Sequence, residues 1–232
     1  MKKKCFNSNK QIKIRKVTMF EELKDIIHGR RSVRKYTDQS VSNEDIQEII
    51  DCARYAPSDT NSQTWFFIAI KNKEKIKAIE ELTWAGIEEK AKAAEEKGLV
   101  KEAKLLRKSF GPYATAFSDA PVLIVCLATP YDSKFRQKIF DPIEFTSNEV
   151  WKEEGIKSST LAAQNLMLAA YAKGLGTCPM TGPVMLAGDK LRQYLEIDDD
   201  LILNMVIAMG YPAETPRKLA RKELEDILQI VE

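Results

Sequence analysis

Pro121-Val-Leu-Ile-Val-Cys-Leu-Ala128 is a short run of apolar, mostly branched side chains closed off by polar turns, the composition of a strand inside a sheet. Trp65-Phe-Phe-Ile-Ala-Ile70 and Leu201-Ile-Leu-Asn-Met-Val-Ile-Ala208 have the same character, and the three segments read as central strands. Helical signals surround them. Thr18-Met-Phe-Glu21 has the form of a capping box, predicting a helix from about residue 19 to His28 that stops at Gly29. Ser42 precedes a second helix with Ile46, Ile49, Ile50 and Ala53 on one face, ending before Pro57. From Ser158 to Lys173 the chain is apolar nearly all round, as expected of a helix buried centrally or at a subunit interface, with Gly174 as its stop. Residues 73–110 are rich in Lys, Glu and Ala but have little continuous apolar face, so a partly exposed helical excursion is expected there. Near the end, Leu224, Ile227, Leu228 and Val231 want a partner surface, as a helix or as an extended arm.

A chain of 232 residues with 44% hydrophobic content can bury one substantial core, and one domain over residues 17–232 is expected after a basic, flexible tail at 1–16. Lys and Arg number 36 against 34 Asp and Glu, a formal charge of +2, so no overall field points to nucleic acid or to a membrane surface. Cys5, Cys52, Cys126 and Cys178 form no CxxC or zinc pattern, and His28 is the single histidine, so no metal site is expected. The lack of a long apolar run or signal-like leader leads to a cytoplasmic expectation.

Several chemistries are not written here. There is no G-x-G-x-x-G after a strand, no P-loop and no G-x-S-x-G elbow, and His28 at a helix end reads as a cap on the dipole. Four segments remain. In Arg30-Arg-Ser-Val-Arg34 an extended backbone would point Arg30, Ser32 and Arg34 the same way, a grip for an anion such as phosphate; a solvated basic turn is the alternative. Ala56-Pro-Ser-Asp-Thr-Asn-Ser-Gln63-Thr-Trp65 gathers amides and hydroxyls beside an apolar strand, where a planar heterocycle could bind, though a plain helix-to-strand loop looks similar. Gly176-Thr-Cys-Pro-Met-Thr-Gly182 reads as a glycine- and proline-framed turn able to present backbone amides. Arg217, Lys218, Arg221 and Lys222 follow Gly210-Tyr-Pro212 and could return to the first basic cluster or coat a surface.

In this order the four segments resemble the nitroreductase family of flavoproteins, over most of residues 19–228. The resemblance implies an α+β fold, an α-β-α sandwich around a mostly antiparallel mixed sheet, dimerised through long buried helices with FMN at the interface. It implies that Arg30, Ser32 and Arg221 hold the FMN phosphate with Arg31 nearby, and that Arg34 reaches the N1 and O2 edge of the flavin. Ser58, Asn61 and Gln63 would bond its pyrimidine or ribityl part. Pro179, Met180, Thr181 and Gly182 would run past N5, with a backbone amide or the Thr181 hydroxyl donating to it. The flavin would carry the chemistry, taking hydride from NAD(P)H and passing electrons to a small acceptor such as a nitro compound or quinone, with Arg34 and Thr181 tuning it and no protein acid or base required.

The sequence departs from the family pattern in two places. Thr64 stands where many members have proline before the tryptophan, and the stretch from Gly210 to Arg221 fits loosely, leaving Lys222, Arg217 or Lys218 as alternative phosphate ligands. The excursion at 73–110 is where a lid would sit; Trp84 within it reads as packing, with stacking on an aromatic acceptor as the alternative. Two other functional readings stand beside the reductase: a flavin-binding storage or regulatory module, and a reductive dehalogenase-like member. For the latter, the acidic, tyrosine and lysine trio that clamps a zwitterionic substrate is not found.

Overall fold

The computed structural model describes residues 18–232; the expected basic tail at 1–16 lies outside the described residues. Three of the four strands, β1 (Trp65–Ile70), β2 (Val122–Ala128) and β4 (Ile202–Gly210), coincide with the three apolar runs. The fourth, β3 (Gly176–Met180), falls where a turn was expected. Pro179 can sit in it because β3 is an edge strand, so the missing N–H is on the side that owes the ladder nothing. The order is β1-β2-β4-β3 with every pairing antiparallel. Beyond β3 the basic segment adds one parallel bridge, Ser32 to Thr177, with Val33 N donating to Thr177 O at 2.9 Å.

All seven residues of β2 are buried, because helices cover both faces of the sheet. Val122, Ile124 and Cys126 point into a core shared with Ile46 and Ile49 of α2 (Asn43–Ala53) and Ala163, Leu166 and Ala170 of α6 (Asn148–Ala172). Leu123, Val125 and Leu127 point the other way, toward Ile76 and Ile79 of α3 (Lys73–Glu96) and Ala187 and Leu191 of α7 (Gly182–Tyr194). The period-two alternation of one strand thus builds two cores. The architecture is the expected α+β sandwich.

Hydroxyl caps form at both helix starts, the first as half of the expected capping box. Thr18 Oγ1 accepts from Glu21 N at 3.2 Å at the start of α1 (Met19–Gly29), and Ser42 Oγ accepts from Asp45 N at 2.9 Å at the start of α2. α6 begins ten residues before the predicted Ser158, its first turns mixing buried Trp151 with charged residues such as Glu149, Lys152, Glu153 and Glu154 that interrupt the apolar run. The excursion is helical, as α3, α4 (Val100–Leu105) and a π-helical turn (Leu106–Phe110), and α5 (Gly111–Ala114) follows it directly. Its first half is not peripheral, since Ile76 and Ile79 enter the core although charged residues flank them along the helix. Arg107 closes the excursion on itself, reaching Glu88 and Glu95 of α3.

The last segment is an arm with only a short turn at Leu224–Asp226, and Leu224, Ile227, Leu228 and Val231 are all exposed. α1 likewise buries nothing, leaving Met19, Phe20, Leu23 and Ile27 in solvent, and Leu161 of α6 is 48% exposed. No helix among the described residues is long and apolar enough to cross a membrane.

Candidate functional site

The segment Arg30 to Arg34 follows α1, and of its two alternate positions Val33 turns inward whereas Arg31 does not. Val33 is buried, packed so tightly on Gly176 that a Cβ there would fall 2.6 Å from Val33 Cγ2. Arg30, Ser32 and Arg34 instead line a pocket of about 370 Å³ together with Arg31, Tyr113, Pro216, Arg217, Leu219 and Arg221. Four arginines besides Arg34 therefore converge on one cavity, and no carboxylate is among its lining residues. Arg30 records the consequence. Burial, then the nearby guanidinium groups of Arg31 and Arg221, push its pKa below the usual arginine value, and its Nη1 is buried with no hydrogen-bond partner. A buried cationic donor without a partner is costly, and an anion in the pocket would relieve both the repulsion and the orphaned donor.

Arg31 is partly used elsewhere, donating to His28 O and Arg30 O at the end of α1. Arg34 is held twice. Its backbone N donates to Glu214 Oε1 at 2.8 Å, and its Nη2 donates to Tyr113 Oη at 3.0 Å, while its Nε is buried and unpartnered. Below this cluster lies Cys178, whose thiol pKa is raised by burial. Of the alternative cations, Arg217 lines the same pocket as Arg221, whereas Lys218 lines two neighbouring cavities with Arg31. Lys222 is exposed.

The third motif lies beside the arginine segment along β3, bridged from Thr177 to Ser32, though none of its residues lines the arginine pocket. Pro179 and Met180 end the strand, exposed Thr181 stands at the N-cap position of α7 without a side-chain cap bond, and Gly182 begins the helix, so the N-terminal dipole of α7 opens beside Thr181. Gly182 is required there, since a Cβ would lie 2.9 Å from Ala114 Cβ of α5.

The second motif is not part of this cavity. The loop carrying Ser58, Asn61 and Gln63 enters β1, and β1 is the opposite edge strand. From Ser32 across β3, β4 and β2 to β1 is four inter-strand steps, roughly 19 Å at ~4.8 Å per step. The loop is tightly made: Thr60, Asn61 and Gln63 have φ of 45°, 60° and 49°, left-handed values uncommon outside glycine. Ser58 Oγ accepts from Gln63 N, and Thr60 Oγ1 shares a hydrogen bond with Tyr131 Oη. Thr64, the departure from the family's proline, is buried and donates its hydroxyl to Gly155 O of α6 at 2.8 Å.

Sequence reasoning missed Tyr113 and Glu214, since neither stands in a motif and each meets Arg34 only through the tertiary fold. Trp84 is packed as expected, its ring lying where a Cβ on Gly111 would be.

The Nitroreductase family profile matches residues 27–211. A protein of Methanothermobacter thermautotrophicus, provisionally named NADH dehydrogenase/NAD(P)H nitroreductase, is 30% identical over 207 residues, covering 88% of this chain and 82% of that protein. The iodotyrosine deiodinase of Nematostella vectensis is 30% identical over 205 residues, covering 86% of this chain and 71% of that protein. A BluB-like flavoprotein of Clostridium difficile 630 superposes with a TM-score of 0.79 at 27% identity, covering 90% of this chain and 99% of that one. The chain belongs to the nitroreductase family.

Proposed function

We propose that this protein is a cytoplasmic, homodimeric, FMN-dependent oxidoreductase that takes hydride from NAD(P)H and reduces a small aromatic acceptor such as a nitro compound or quinone. The observation that carries the reading is the arginine pocket, with two buried guanidinium nitrogens lacking partners, Arg30 Nη1 and Arg34 Nε. These donors fit the two anionic or electron-rich ends of FMN. Arg30, Ser32 and Arg221, with Arg31 and Arg217 alongside, would bind the phosphate by charge-assisted bonds. Arg34 would hold positive charge at the flavin's N1 and O2 edge, and Thr181 with the start of α7 would orient the N5 side. Bound FMN supplies two-electron transfer between donor and acceptor, which none of these side chains could perform.

A homodimer is supported by the separation of the motifs. Ser58, Asn61 and Gln63 sit on the far edge of the sheet, so one chain offers only part of the expected cofactor contacts, and a two-fold partner would bring its own copy of that loop. The exposed apolar residues of α1, of α6 and of the C-terminal arm are the surface such a partner would cover.

The test is the visible spectrum of purified protein before and after anaerobic NADPH, then NADH. Flavin bands that bleach with either donor are expected. Bands that persist with both would favour the storage or regulatory module, and no uptake of added FMN would overturn the flavin reading. The 30% identity to the deiodinase motivates a parallel assay with a halotyrosine as acceptor; turnover there would replace the nitro or quinone acceptor and leave the site assignments standing.

A further inference from the structure

Tyr113 belongs to α5, which directly follows the 73–110 excursion, and to none of the four motifs, yet it makes two contacts to Arg34. Its hydroxyl accepts from Nη2 at 3.0 Å, and its ring centroid lies 4.8 Å from Cζ. The hydrogen bond sets the direction of the guanidinium and the ring face limits its tilt. Burial does not account for the residue's position, since Tyr113 is 56% exposed.

The support beneath Tyr113 is rigid. Its neighbour Ala114 is in close contact with Gly182 of the third motif, and Gly111 is packed against the Trp84 ring. Thr115 Oγ1 donates to Gly111 O, and Arg107 ties the preceding turn to Glu88 and Glu95. α5 thus spans the first and third motifs, with Tyr113 on one and Ala114 on the other. Arg34 is otherwise a long side chain anchored only through its backbone, by Glu214.

We propose that Tyr113 is the positioning residue of Arg34, and that through it α5, with the helical excursion before it, helps set the redox potential of the cofactor; this rests on the flavin reading above. A cation at the flavin edge favours the anionic reduced form over the neutral oxidised form, and only such a differential interaction moves a potential. Loosening Arg34 weakens binding of reduced FMN more than binding of oxidised FMN.

The experiment compares wild type, Tyr113→Phe, Tyr113→Leu, Arg34→Met and the Tyr113→Leu/Arg34→Met double variant. FMN affinity is measured by fluorescence titration and the midpoint potential by anaerobic titration against a reference dye. Removing both contacts in Tyr113→Leu is expected to change the ratio of oxidised to reduced dissociation constants by about fivefold, the scale of one ordinary net hydrogen bond, since the pair is solvent-exposed. A fivefold change in that ratio is a drop of about 20 mV for two electrons. Tyr113→Phe falls between this variant and wild type according to the share of the hydroxyl. In the Arg34→Met background the tyrosine substitution is expected to have no further effect. A wild-type protein that binds no FMN overturns the flavin reading and the proposal with it. Bound FMN with unchanged potentials in both tyrosine variants overturns the proposal alone, as does a full additional loss in the double variant, which would mark a merely structural role.

Discussion

Arg30→Met separates the cost of the arginine pocket from its use. In cofactor-stripped protein, Arg30 has a buried Nη1 without a partner and the charges of Arg31 and Arg221 beside it. Leaving a buried donor unsatisfied costs about 1–3 kcal/mol, and the lower end applies because the residue is only half-buried. Methionine keeps most of the aliphatic stem and removes the charge, so the stripped variant should be more stable than wild type by ~1 kcal/mol, about 2–4 °C in melting temperature for a chain of this size. FMN reverses the order. Losing a charge-assisted bond to phosphate costs about 1.5–3 kcal/mol, weakening the dissociation constant roughly 10- to 150-fold. At a fixed FMN concentration that saturates wild type, the variant then gains less from ligand and should melt below it. The assay is a pair of thermal melts, stripped and with FMN, alongside a fluorescence titration. A stripped variant that melts below wild type would mean the guanidinium is a satisfied structural group, and an unchanged FMN affinity would remove Arg30 from the phosphate site; either result refutes the reasoning.

Gly155→Ala tests how closely α6 lies on the chain leaving β2: a Cβ there would be 1.9 Å from Thr129 O, so despite the ~1 kcal/mol gain in helix propensity a net loss of at least ~1 kcal/mol is expected in urea unfolding. Leu161→Arg, on the exposed side of α6, should give monomers by sedimentation and reduce FMN uptake; a variant that remains dimeric and loads fully would exclude α6 from the interface. Burial raises the pKa of Glu80, so ionising it is harder in the folded than in the unfolded chain, and its contribution falls as pH rises through the carboxylate range. Glu80→Gln should therefore be more stable than wild type at neutral pH, with the difference vanishing toward about pH 4, as followed by melting temperature across pH.

How much of the site was legible depends on how far apart in the chain its parts lie. Arg30, Ser32 and Arg34 could be read as one grip because strand alternation is a local rule, and Val33 packed on Gly176 is the other half of that rule. Arg221 could be named but not chosen over its basic neighbours by sequence; its return to Arg30 depends on the path of the chain after β4. Gly176 to Met180 was misread as a turn because its glycine and proline argue against a strand, and only an edge position accommodates both. Tyr113 carried no signal at all, since its meaning is a contact across 79 residues.

By itself the sequence determined the three apolar strands, the capped starts of α1 and α2 and the common side of Arg30, Ser32 and Arg34, because periodicity and capping are properties of neighbouring residues. The tertiary structure decided which motifs lie side by side. It joined the first and third through β3 and α5, and it set Ser58, Asn61 and Gln63 on the opposite edge, because strand order follows from long-range packing that no local pattern encodes.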